Sequence, residues 1–195
     1  MLSGSILGNL INLQMQAMGL KGTKTPLFST AVGTGIVTSI LASNFYVGQS
    51  TGIGTGAGKG TGMVLGIVGP VVGMSIYGQM QSQNLTGTKS LQLAMAIGNA
   101  FAMHMLSGQV QSVSAPVVVG TGTGKLQGIA GPLIATSIMG FFTAVGFTGT
   151  KLLQMATAVG NGIASSMASA QVMTVIVGGG YPPSPLSGVD TGKLM

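Results

Sequence analysis

Gly66-Ile67-Val68-Gly69-Pro70-Val71-Val72-Gly73-Met74-Ser75-Ile76-Tyr77-Gly78 returns 62 positions later as Gly128-Ile129-Ala130-Gly131-Pro132-Leu133-Ile134-Ala135-Thr136-Ser137-Ile138-Met139-Gly140. A Gly-Thr-Lys corner follows each at Gly87-Thr88-Lys89 and Gly149-Thr150-Lys151, and a third corner stands at Gly22-Thr23-Lys24. Nine residues past each lysine lies Ala31-Val32-Gly33, Ala96-Ile97-Gly98 or Ala158-Val159-Gly160. The first copy is the most diverged, yet Ile11, Gln14, Met15, Gln16, Leu20 and Gly22 align with Ile76, Gln79, Met80, Gln81, Leu85 and Gly87. These registers divide the chain into units 1–65, 66–127 and 128–195 of one repeat domain. Repetition at this period describes a supersecondary unit that buries its apolar face only against its neighbours.

Each unit reads as helix, lysine corner, helix, extended segment and glycine loop, which makes the fold class mainly α with short β segments. Residues 66–83 open with glycine and with Pro70 in a first turn, where a missing N–H costs nothing. Ser90 to Met105 is rich in Leu, Met and Ala without proline, a second helix that Gly108 ends. Residues 109–119 alternate apolar and polar before a β-branched run, a strand signal in which Pro116 implies an edge or an extended arm. Gln171 to Val177 is the cleaner counterpart in the third unit, and Phe45 to Gln49 the weaker one in the first. The stretches Gly52 to Gly58 and Gly120 to Gly124 read as loops, because glycine suits left-handed turns and close backbone approach.

Composition removes most chemistry. The chain of 195 residues has one acid, Asp190, one histidine, His104, and no cysteine. General acid–base catalysis, paired-carboxylate hydrolysis and metal sites need at least two such groups together. No catalytic, cofactor-binding or metal-ligating set is assignable, and a Ser–Lys nucleophile lacks the desolvated lysine it needs. The glycine-rich stretches fail as phosphate loops: Gly58-Lys59, Gly124-Lys125 and Gly192-Lys193 are followed by Gly60, Leu126 and Leu194, where a Walker A motif requires Ser or Thr. His104, among Phe101, Met103 and Met105, reads as a hydrogen-bonded packing residue, and the fourteen methionines as adaptable filler.

Charged residues are 4% of the chain, against about 25% in an ordinary soluble domain. A surface so poor in charge is weakly protected against association, so subunit contacts or lipid must cover it. Glycine and alanine recur inside the helices at Gly66, Gly69 and Gly73, at Gly98 and Ala102, and at Gly160, Ala164 and Ala168, a spacing that lets helix backbones meet in protein or in a bilayer. Ile129 to Phe147 is long enough to span. Its counterpart, however, ends in Gln79, Gln81, Ser82, Gln83 and Asn84, and tryptophan is absent. The segment before Lys21 carries no charge, so no signal peptide is expected.

Net charge is +6, carried by seven lysines without arginine. Six of them occupy the repeated positions: Lys24, Lys89 and Lys151 in the corners, and Lys59, Lys125 and Lys193 in the glycine-rich stretches. With antiparallel helices the two sets gather at opposite ends of the bundle. They are the candidate contacts for an anion, nucleic acid or anionic lipid, through charge rather than base reading, since no arginine or stacking aromatic accompanies them.

In its Gly/Ala/Thr-rich, cysteine-free composition the chain resembles small bacteriophage virion proteins, tail and baseplate components in particular. That resemblance implies a non-enzymatic homo-oligomeric ring or plug in the virion, with itself and other subunits as partners and neither cofactor nor small-molecule substrate. A multi-helix membrane protein or pore is the alternative expectation.

Overall fold

One local device makes all three corners. In a computed structural model, which describes residues 2–42, 45–52, 58–64, 66–114, 119–178 and 186–194, the first helix of each unit ends on a left-handed residue. These are Gly19 at φ 75°, Asn84 at 54° and Gly146 at 74°. The next residue turns its amide back to the helix: Leu20 to the Met15 carbonyl, Leu85 to Met80 and Phe147 to Phe142, each at 2.9 Å. This Schellman closure satisfies carbonyls that a helix end otherwise leaves open. The amides of Thr25, Ser90 and Leu152 then bond the carbonyls of Gly22, Gly87 and Gly149 and start the second helix.

The helices are α1 (Gly4–Ala17), α2 (Thr25–Ala42), α3 (Gly69–Ser82), α4 (Ser90–Ser107), α5 (Gly131–Ala144) and α6 (Lys151–Ser169). A β-hairpin follows each helix pair: β1 (Phe45–Gly52) with β2 (Gly58–Met63), β3 (Gln109–Ser114) with β4 (Val119–Gln127), and β5 (Gln171–Gly178) with β6 (Leu186–Leu194). Helix succeeds helix around a ring that α6 closes against α1. The strands form a closed antiparallel barrel in chain order, sealed by β6 on β1, so no strand edge is left open among the described residues. The strands begin where α4 and α6 end, so the barrel stands on one end of the helical ring and the lysine corners lie at the other.

The glycine stretch Gly120 to Gly124, expected as a loop, is strand, as are the two ends of the other, Gly52 and Gly58. Gly120 to Gly124 lie inside β4, and Gly58 begins β2; residues 53–57 and Pro116 fall outside the described residues. The reason is the width of the barrel. About eight strands are needed before side chains can fill an interior, and with six there is room only if alternate positions carry almost nothing. Gly122 and Gly124 pair with Ser114 and Ser112 in the parity of the buried pair Val110 and Leu126. Gly58, Gly60 and Gly62 hold the same parity opposite Ser114, Ser112 and Val110. β1 carries a register shift between Tyr46 and Gln49, a bulge that accommodates one extra residue in the first unit.

Glycine also sets the helix spacing. Within each pair, Gly33 meets the backbone of Gly4 and Gly8, Gly98 that of Gly69 and Gly73, and Gly160 that of Gly131 and Ala135. Between units, a Cβ on Gly35 would stand 2.5 Å from the Ile76 Cα, and one on Gly162 2.9 Å from the Ile11 Cα. The equivalent residue of α4 is Ala100, and the α4–α5 seam is the loosest of the three between units. Ile11, Ile36, Ile76, Ile97, Phe101, Ile134, Ile138, Phe142 and Ile163 fill the continuous core, all fully buried. The spanning candidate Ile129 to Phe147 is a helix only over Gly131–Ala144.

Candidate functional site: lysine corners and the seam beside them

The two lysine sets occupy different ground. Lys24, Lys89 and Lys151 sit together at the corner end: Lys24 and Lys151 line one cavity, and Lys89 reaches the end of α5. All three are exposed. Lys59, Lys125 and Lys193 lie in the barrel strands, so the expected separation into two ends holds in position. Their expected three-fold equivalence does not. Lys125 pairs with Gln171, and the structural counterpart of that pair is Met63 with Gln109. Lys59 pairs instead with Val113, four residues further along the strand, or about 13 Å at the rise of a β-strand. Lys193 opposite Met173 stands beside the Val172–Leu194 pair as Lys125 stands beside Val110–Leu126, so these two are equivalent. The Gly-Lys dipeptides do not mark equivalent positions, because Gly58–Gly62 and Gly120–Gly124 repeat at 62 residues, the offset of α3 to α5, whereas Lys59 and Lys125 are 66 apart.

The three seams differ at the corner end. Between the second and third units, Lys89 donates from Nζ to the Gly146 carbonyl at 2.9 Å and lies 5.1 Å from the centre of the Phe147 ring. Phe147 in turn packs on Phe142, ring centres 5.4 Å apart. Higher in the same seam His104 Nε2 and the Ser137 hydroxyl are 2.8 Å apart, a hydrogen bond between α4 and α5. His104 is therefore a bonded packing residue; Ser39 and Ser166 take its place in the other units and are buried. Between the third and first units, Lys151 stands where Lys89 does, and Leu20 where Phe147 does. There a cavity of about 430 Å³ opens, with Met15, Leu20, Phe28, Leu152 and Met155 as its apolar lining and Lys24 and Lys151 beside them.

Among the described residues no three His, Cys, Asp or Glu side chains come together as a metal site would require. Comparison with protein families, characterised proteins and solved structures gives no match, so the geometry of the chain itself carries the functional reading.

Proposed function

We propose that the protein is a non-enzymatic structural component of a symmetric assembly, a ring or plug of a bacteriophage tail or baseplate, with its lysines available to DNA or anionic lipid. The observation that supports this reading is a repeated apolar position on the outside of the helical ring. Ile6, Val71 and Leu133 are equivalent residues of α1, α3 and α5, and each is more than half exposed, at 54%, 55% and 56%. Met74 and Leu13 extend the exposed apolar surface. A monomer in water gains nothing from presenting three large aliphatic side chains at matched positions, whereas partners that surround the ring meet the same surface on each of its three sides.

The membrane alternative draws on α2, the one described helix long and apolar enough to cross a bilayer, with mean hydropathy 1.4 and half of that window buried inside the protein. Against it stand the helices α1, α3 and α5. At 14 residues each they are about 21 Å long, short of the roughly 30 Å hydrocarbon core.

The test is purification without detergent followed by light scattering. The parent chain is expected as a discrete oligomer, and the triple variant Ile6→Asp, Val71→Asp, Leu133→Asp as a monomer with unchanged circular dichroism. Flotation with liposomes that survives a carbonate wash would defeat the proposal in favour of a pore.

A further inference from the structure

We propose that the seam between the third and first units is a binding site for a single-chain amphipathic anion, an alkyl chain bearing a carboxylate or phosphate head. The inference goes beyond the assembly role and does not depend on it.

Internal repetition supplies the comparison that a lone cavity lacks. Three seams are built from equivalent residues. In the second–third seam the aromatic ring of Phe147 occupies the space below the corner, and Lys89 is held by that ring and by the Gly146 carbonyl. In the first–second seam Leu85 occupies the position and is buried. Among the described residues the third–first seam combines a smaller side chain, Leu20, which stays partly exposed, with an open cavity of about 430 Å³, inside the range of ligand pockets. Lys151 has lost the contact that its counterpart Lys89 makes: neither the Lys151 nor the Lys24 ammonium forms a hydrogen bond or ion pair among the described residues.

The lining selects the chemistry. Met15, Leu20, Phe28, Leu152 and Met155 offer no hydrogen-bond group, and Met and Leu adapt to a flexible chain. The more exposed part of the lining is Lys24 and Lys151 with Thr148 and the Gly149 backbone. Two cations on one small opening, with no acid in the lining, favour an anionic head at the water boundary. A peptide would have to bury its amides against a lining whose hydroxyls, Thr25 and Thr148, are too few to pair them, so an alkyl chain is the better occupant.

Titration calorimetry of the full chain with laurate and with dodecyl phosphate, both below micelle formation, tests the site. One molecule per chain is expected. Leu20→Phe, which installs the residue already accepted in the second–third seam, should weaken binding at least tenfold with no loss of thermal stability. Lys24→Gln with Lys151→Gln should weaken laurate several-fold and flatten its salt dependence, while leaving dodecanol binding unchanged. Phosphatidylglycerol vesicles separate the sources. Vesicle binding that Leu20→Phe abolishes assigns the ligand to a bilayer; laurate binding without vesicle binding assigns it to a free amphiphile. Absence of laurate and dodecyl phosphate binding in the parent overturns the proposal. So does binding that Leu20→Phe leaves intact or, should that variant misfold, binding indifferent to the lysine pair.

Discussion

Gly98 of α4 lies directly on the backbone of Gly73 of α3: a Cβ built on Gly98 would overlap the Gly73 amide nitrogen. The same relationship joins Gly33 to Gly8, whereas in the third unit Gly160 faces Ala135 and tolerates one methyl on the opposite helix. The helix pairs are thus held at backbone contact, and their spacing has no slack on the second-helix side.

Gly98→Ala should therefore destabilise the protein by about 1–3 kcal/mol, the usual range for overpacking, despite alanine's better helix propensity. Gly73→Ala should cost less: a Cβ there would stand 2.8 Å from the Met95 Cα, but the third unit already accommodates Ala135 at the equivalent position. Chemical denaturation of the two variants checks the order, and equal losses would contradict it.

In the α4–α5 seam Ala100 stands where Gly35 and Gly162 bring the helices of the other two seams together, and the His104–Ser137 hydrogen bond crosses it. Ser137→Ala is expected to cost about 0.5–1.5 kcal/mol, and a double-mutant cycle with His104→Ala should return a coupling of similar size. Additivity of the two changes would show that the 2.8 Å contact contributes nothing.

Replacing Lys59, Lys125 and Lys193 together by Gln should leave the melting temperature and assembly unchanged while weakening association with DNA or anionic lipid as added salt does. Because Lys125 and Lys193 share a level and Lys59 does not, the Lys125→Gln, Lys193→Gln pair should account for most of the loss. Electrophoretic mobility shifts over a salt series measure it. A triple variant that fails to assemble, from a parent that never binds polyanions, would make these lysines structural.

Much of the fold was legible because it is local. The Gly-Thr-Lys corners, the second helix from Ser90 and its end at Gly108 follow from turn chemistry and helix propensity, and Gln171 to Val177 from alternation. The strands β2, β4 and β6 were not legible, because glycine is depleted in ordinary strands and only closure of a narrow barrel gives it a reason to be there. Nor was the cavity beside Lys151 visible. Leu20 and Phe147 are unremarkable alone, and their difference acquires meaning only once the chain sets them at equivalent seams.

The joins between barrel and helices carry one more consequence. Four residues separate Val64 from Gly69 and Leu126 from Gly131, and four would separate Leu194 from Gly4 if residue 195 were linked to residue 1. Leu194 and Leu126 hold the same barrel register, and α6 already lies against α1. The packing is thus a ring of three units in which no unit is structurally first. A circular permutant opened between residues 127 and 128, with residue 195 fused to residue 1 and no added linker, should adopt the same fold with its ends moved one third of a turn around the axis.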